Sequence, residues 1–324
     1  MAKLSYREAV AAAMAQEMRL DDRVIFLGED VGAAGGVFKA TLGLFDEFGP
    51  TRVRDTPISE QAILGATMGA AMTGLRPIAE IMFSDFFGVC WDTVVNEIAK
   101  ARYMTNGDHE TPLVIRSANG GGARFGAQHS QSIENWAMAV PGIKVVAPSN
   151  AYDVKGLLAA SIRDPDPVLF FEQKAMYGNK CEVPEGELVI PLGEAATPRE
   201  GTDVTIVALA NMVPKSLKAA EILEKEHGIL CEVVDPRTLV PLDTKTILAS
   251  VEKTGRLVTV EENPRLCGWG AEIASIVGEE LFWNLDAPIT RITTPHIPLP
   301  SVDVLEDLVI PSVERIVDTI SKMD

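Results

Sequence analysis

The chain has 324 residues, 47% hydrophobic and 23% charged, which is core material for about two domains at roughly 100–200 residues each and excludes a disordered, collagenous or disulfide-scaffold protein. With 29 Lys and Arg against 46 Asp and Glu, the net charge of −17 repels phosphate backbones and anionic lipid, so it argues against nucleic-acid or membrane binding and for a basic protein partner. The charge-free stretch Gln61–Leu75 is fifteen residues long, short of the ~20 apolar residues of a membrane span. The N-terminus is charged within its first turns and has no apolar signal core, so a cytoplasmic protein is expected. Cys90, Cys181, Cys231 and Cys267 are far apart with no C-x-x-C, which points to free thiols and away from zinc.

Elements alternate along the front half. Tyr6–Arg19 predicts a helix capped by Ser5, Arg23–Gly28 a strand, and Gly32–Gly36 and Gly43–Pro50 loops. Ser59–Thr73 predicts a helix of small residues, able to pack closely against a backbone or a ligand. Pro77–Phe83 predicts a strand, Phe86–Tyr103 an amphipathic helix, and Leu113–Ser117 a strand leading into the glycine-rich loop Asn119–Gly126. Strand Ile143–Ala147, helix Tyr152–Ile162 and strand Val168–Glu172 close this half.

Pro184, Gly186, Pro191, Gly193 and Pro198 punctuate a linker. The expected division is residues 1–183, linker 184–199 and residues 200–324. The back half reads as strand Asp203–Ala210, helix Pro214–His227 stopped by Gly228, strand Ile229–Asp235, and helix Asp243–Thr254 stopped by Gly255. Strand Arg256–Glu262, helix Gly270–Leu285, strand Ile289–Thr293 and a final helix Asp303–Lys322 complete it. The fold class is α/β: two domains, each a parallel sheet sandwiched by helices, with ligands expected outside the carboxyl ends of the strands.

The glycines at 28, 32, 35 and 36, and Gly120-Gly121-Gly122 with Gly126, make neither G-x-G-x-x-G nor a P-loop, so they read as turn glycines. His109 reads as solvated and His227 as a helix-end residue suited to the dipole. Two positions differ. Glu60 opens the small-residue helix, where a carboxylate is dipole-favoured but would also gain proton affinity in a dry cleft. His129 follows the glycine-rich loop at a strand end, a position suited to chemistry.

Gly28-Glu29-Asp30-Val31-Gly32, Gly35-Gly36-Val37-Phe38, Asp55-Thr56-Pro57-Ile58-Ser59-Glu60 and His129-Ser130-Gln131-Ser132 resemble the beta subunit of the thiamine-diphosphate-dependent 2-oxoacid dehydrogenases. So do Pro141–Ser149, Lys155-Gly156-Leu157-Leu158 and Val234–Asp243, in order over nearly the whole chain. Ile81–Asp92 is most similar to the acetoin dehydrogenase branch. The resemblance implies a transketolase-like pyrimidine-binding domain followed by a transketolase C-terminal domain. It implies thiamine diphosphate shared with an alpha subunit, in a two-alpha, two-beta heterotetramer. Mg2+ would be held mainly by the alpha subunit, because Gly-Asp-Gly is absent here and Asn106-Gly107-Asp108 is followed by His109.

By the same resemblance, Glu60 hydrogen-bonds the aminopyrimidine ring nitrogen and helps ionise the coenzyme, which carries its own electron sink. Ile58 belongs to the cofactor-binding turn, and Phe86 packs on the aminopyrimidine. His129 faces the substrate and assists acyl transfer to lipoamide. Ala139 stands where relatives commonly carry a second histidine, which bears on substrate. A K+ site is implied at Leu113, Ser161, Ile162, Asp164 and Asp166, although Asp164-Pro165-Asp166-Pro167 also reads as a rigid turn.

A lipoyl acyltransferase core is the further partner implied. Ser301–Asp324 holds six acids and two bases, an acidic rim that could steer a basic domain or simply be solvated. The activity implied is cleavage of acetoin, or decarboxylation of a 2-oxo acid such as pyruvate, with acyl transfer to lipoamide. A pyruvate or branched-chain enzyme is the alternative within the family. Half of a split transketolase, and a non-catalytic docking subunit, are rival readings from other classes.

Overall fold

The computed structural model describes residues 1–323, and Asp324, one of the six acids of the terminal segment, lies outside the described residues. The chain divides into two compact units. The first comprises Met1–Asn119 and Trp136–Leu192; the second comprises Gly120–Asn135 and the chain from Gly193 on. The glycine-rich loop therefore groups with the second unit although it lies within the front half of the sequence. The break at Leu192 falls inside the stretch read as a linker, whose last residues form a strand.

In the first unit, strand β1 (Ala2–Ser5) runs into helix α1 (Tyr6–Leu20). Ser5 caps that helix with a reciprocal box: its hydroxyl accepts from the Glu8 amide, and the Glu8 carboxylate accepts from the Ser5 amide at 2.7 Å. Then follow β2 (Val24–Gly28), α2 (Leu44–Arg52), β3 (Val53–Asp55), α3 (Glu60–Met72) and β4 (Arg76–Phe83). After α4 (Phe87–Asp92) and α5 (Ala101–Met104) come β5 (Val114–Asn119), α6 (Glu134–Met138), β6 (Lys144–Val146), α7 (Ala151–Arg163), β7 (Val168–Gln173) and β8 (Lys180–Val183).

The strands of this unit order as β6-β7-β5-β4-β2-β3, and every pairing is parallel. Ile78 sits opposite Val114, and Val114 opposite Val168, so apolar residues stack across the sheet. Alanines at positions 9 and 13 let α1 approach α7, and Glu17 of α1 takes the Arg163 guanidinium of α7 at 2.7 and 2.9 Å.

Three expectations need correction here. The stretch Phe86–Tyr103 is not one helix: α4 passes into a π-helical turn at Thr93–Ile98 before α5. The β-branched run Thr93-Val94-Val95 crowds the preceding turn and favours the wider winding. Gly43–Pro50 is helical rather than loop, kinked where Gly49 takes φ 71°. The front sheet is parallel, but β1 and β8 form a separate antiparallel pair that no local pattern announces.

Arg116 is the largest fully buried side chain, 1% exposed in the middle of β5. Its guanidinium meets Glu172 of β7 in two parallel bonds of 2.6 and 2.9 Å and Glu80 of β4 at 2.9 Å. The Tyr177 hydroxyl donates to Glu172 at 2.8 Å. Burial pushes the Glu80 carboxyl above its usual range although the guanidinium pulls it down. One cation thus neutralises two carboxylates in the centre of the sheet.

In the second unit, β9 (Ala196–Arg199), β10 (Val204–Ala208), α8 (Met212–His227), β11 (Cys231–Asp235) and β12 (Thr238–Val240) precede α9 (Thr244–Thr254) and β13 (Leu257–Pro264). Then come α10 (Gly270–Glu280), β14 (Thr290–Thr294), α11 (Asp303–Val309) and α12 (Val313–Ile320). The sheet orders as β14-β13-β10-β11-β9, parallel except for the edge strand β9. Val204, Ile206, Val233, Val258, Val260 and Ile292 form its core with α8 and α12.

Asp243 caps α9 by accepting from the Thr246 amide at 3.0 Å, and Gly255 ends it in the left-handed conformation. The helix expected over Gly270–Leu285 stops at Glu280, and a 3-10 turn follows at Phe282–Asn284. The single helix expected over Asp303–Lys322 is two, because Pro311 holds Ile310 extended (φ −72°, ψ 137°).

Arg116→Met removes the cation and leaves two buried carboxylates unpaired. It is expected to destabilise the chain by about 3–5 kcal/mol, read as a lower urea midpoint.

Candidate functional site

The carboxyl ends of β2 and β3 bring two sequence motifs together. The Gly32 amide donates to the Asp55 carboxylate at 2.7 Å, and the Thr56 amide donates to the Gly28 carbonyl at 2.9 Å. A side chain at Gly32 would strike Asp55, since an added Cβ falls 2.6 Å from its Oδ2. These ties set Gly28–Gly32 against the turn Asp55–Ser59, from which α3 starts at Glu60.

Glu60 is half-buried, and its charge is felt by two neighbours, Glu29 and Cys90. Glu29 is 8% exposed; burial first, then the Glu60 and Asp30 charges, hold its carboxyl above the usual range. Burial, with Glu60, pushes the Cys90 thiol up to about 12, which keeps it neutral. The Cys90 thiol donates to the Phe86 carbonyl at 3.6 Å, so Phe86 belongs to the same neighbourhood, its ring edge-on to Phe83 at 5.4 Å. Ile58 is 83% exposed on the turn before Glu60.

Residues expected at the site therefore converge in the first unit: Glu60, Phe86 and the turn carrying Ile58. Sequence reasoning assigned no role to Glu29. The signal was present in Gly28-Glu29-Asp30-Val31-Gly32, but its proximity to Glu60 follows only from the pairing of β2 with β3.

His129 belongs to the second unit, half-buried on the glycine-rich loop, where its amide donates to the Gly126 carbonyl at 3.3 Å. Consecutive amides of such a loop can cradle an anion. Here the chain supplies its own anions. The Gly121 amide donates to Glu262, the Gly122 amide donates to Glu306 at 2.9 Å, and the Ser132 hydroxyl donates to Glu262 at 3.0 Å. The loop is thus filled by carboxylates and does not present a diphosphate cradle. Glu306, expected on an acidic rim, is 0% exposed, and the Arg124 guanidinium meets Glu306, Asp307 and Asp303. Part of the expected rim is therefore internal or already paired.

The positions implied for K+ gather around the turn after α7, where the chain's own cations and amides meet them. The Ile162 and Asp164 carbonyls accept from Arg76 Nη1 at 2.9 and 3.2 Å. The Leu113 carbonyl accepts from the Val168 amide and the Ser161 carbonyl from the Asp164 amide. Lys144 sits on the Asp164 carboxylate at 2.6 Å and Arg102 on that of Asp166 at 2.7 Å. Each of these oxygens thus already has a donor from the chain itself. Among the described residues no group of three or more His, Cys, Asp or Glu could hold a metal ion, and no helix is long and apolar enough to cross a membrane.

Two parallel-sheet units with these motifs define a transketolase-type chain. Residues 2–180 match the transketolase pyrimidine-binding domain and residues 193–316 the transketolase C-terminal domain. A solved split-gene transketolase, described as an inactive beta4 tetramer, has the same fold with a TM-score of 0.80 and 25% identity, over 98% of this chain and 97% of its own. Among curated relatives, the acetoin:2,6-dichlorophenolindophenol oxidoreductase subunit beta of Bacillus subtilis (strain 168) is 50% identical over 327 residues, 97% of this chain and 95% of the relative. The pyruvate dehydrogenase E1 component subunit beta of Rickettsia felis is 46% identical over 321 residues, 99% and 98% of the two chains. The chain belongs to the family of beta subunits of the thiamine-diphosphate-dependent 2-oxoacid and acetoin dehydrogenases.

Because the Glu29 carboxyl is raised in the fold, its opposition to folding builds as pH rises from the unfolded value to the folded one and is complete above the folded value. Below the unfolded carboxyl value of about 4.3 it is protonated in both states. Glu29→Gln is therefore expected to raise Tm at neutral pH by about 2 °C or more and to leave it unchanged below that value. Thermal melts of both chains across pH check this.

Proposed function

We propose that this chain is the catalytic beta half of an oxidoreductase that cleaves acetoin, or decarboxylates a 2-oxo acid such as pyruvate, and passes the acyl unit to lipoamide. The observation that carries the reading is the 50% identity, over 97% of the chain, with an acetoin oxidoreductase beta subunit. The Glu60 neighbourhood supports it. Thiamine diphosphate, when bound, supplies the electron sink for breaking the bond next to a carbonyl. Every other requirement falls on protein side chains.

A half-buried carboxylate at the start of α3 fits the aminopyrimidine edge of the coenzyme: Glu60 would share a proton with the ring nitrogen, and Glu29 beside it makes a second negative charge there unfavourable. Phe86 would cover the ring, and Ile58 would border it from the exposed turn. His129 would give a proton to the sulfur leaving group during acyl transfer. The Mg2+ ligands would come from an alpha subunit.

The outer face of α3 supports the same partner. Gly65 and Gly69 have nothing within 4 Å of an added Cβ, and neither has Gly88 beyond α3. Ala62, Gly65, Ala66 and Gly69 are exposed, as are Ile58 and Val89. Two alpha and two beta chains, a lipoyl acyltransferase core as acyl acceptor, and a cytoplasmic location complete the reading.

Reconstituted with an alpha subunit, the pair is expected to reduce a dye acceptor with acetoin or pyruvate and to ignore sugar phosphates. Sugar-phosphate turnover would favour a split transketolase instead. Glu60→Gln should cost about 10²–10⁴ in turnover with Tm unchanged, and full activity in that variant would overturn its role. Gly65→Leu should leave the isolated chain folded yet prevent co-purification with alpha.

A further inference from the structure

Three consecutive residues at the carboxyl end of β13 each hold segments remote in sequence. Glu261 accepts from the Gly270 amide at 3.1 Å and from Arg291 at 2.7 Å. Glu262 takes the Gly121 amide and the Ser132 hydroxyl. Asn263 donates to the Ser132 carbonyl at 2.9 Å and to Glu134 at 3.1 Å. On the other side of the loop, Glu306 of α11 takes the Gly122 amide and Arg124. The loop is gripped before His129 at residues 121–124 and after it at Ser132.

Close packing reinforces the grip. An added Cβ at Gly121 would lie 2.8 Å from Ile310 and 2.9 Å from Leu299, and one at Gly126 would lie 3.3 Å from Ser301. A side chain at either glycine would have to displace neighbours that now pack directly on the loop backbone.

We propose that Glu306 and Glu262 are positioning residues for His129: two buried carboxylates that clamp the loop by its own amides and fix where the imidazole stands during acyl transfer. This rests on the role given to His129 above. In that transfer the lipoamide disulfide opens. One sulfur would bond to the acyl carbon as that carbon's bond to its carrier breaks, the other takes a proton from the imidazole, the acyl hydroxyl proton returns to the imidazole as the carbonyl forms, and the two electrons come from the carbon–carbon bond broken in the substrate. An imidazole displaced by about 1 Å loses this proton transfer without affecting the earlier cleavage, in which it takes no part.

The test separates the two half-reactions in the reconstituted enzyme. Glu306→Ala is expected to lower lipoamide-linked turnover at least tenfold while dye-linked turnover stays within about threefold. Glu306→Gln, which still accepts from Gly122, should recover most of the loss. Amide exchange over 120–132 should quicken in the alanine variant. Should that variant fail to fold, Arg124→Met loosens the same clamp from the half-exposed side and should show a smaller loss confined to the lipoamide reaction. Equal loss of both turnovers, or loss of neither, overturns the proposal. His129→Ala is the reference: if it keeps lipoamide-linked turnover, the role of His129 itself fails, whereas loss there with none in Glu306→Ala rejects only the clamp.

Discussion

A carboxylate taken out of water must find cations or N–H donors, and that demand organises both units of this chain. In the first unit Glu80 and Glu172 meet across the sheet at one guanidinium, so strands β4, β5 and β7 are locked in register by charge as well as by apolar contact. In the second unit Glu261, Glu262 and Glu306 take backbone amides, so a helix start and a glycine loop are held where the carboxylates stand. A chain with so acidic a composition places part of that charge inside, where each group sets the course of a segment remote in sequence.

The two units use their strand ends differently. At the carboxyl ends of β2 and β3, short ties between Gly28–Gly32 and Asp55–Thr56 leave Glu60 half-buried with an exposed turn beside it. The carboxyl end of β13 is instead plugged by the 120–135 segment. Open strand ends are where α/β sheets receive ligands, and the strand ends of the first unit are of that kind. The second holds a histidine on a braced loop.

Legibility in the sequence followed the range of the interactions. Ser5 and Asp243 act on amides three residues away, and both helix starts can be read directly. Buried parallel strands announce themselves as apolar runs, as in Val24–Gly28 and Val204–Ala208. What failed to show was non-local or masked. The β1–β8 pair joins opposite ends of the first unit, and the 120–135 loop leaves the sheet before it to join the second. Glu306 looks like any surface acid of an amphipathic segment until Gly122 and Arg124 are found against it. Pro311 was a local signal overridden by the helical period on either side. Glu60, Phe86 and the Ile58 turn were singled out by family resemblance, and the closeness of Glu29 to Glu60 shows only through strand pairing.

The open face of α3 bears on how such a chain must be made. Glycines with empty space above them, flanked by an isoleucine and a valine facing solvent, leave room on this face for another polypeptide to pack closely. A copy made without such a partner carries that surface uncovered. An excess of such copies would leave that apolar face to meet whatever apolar surface it encounters, so a balanced supply of partner would follow from the geometry of one helix.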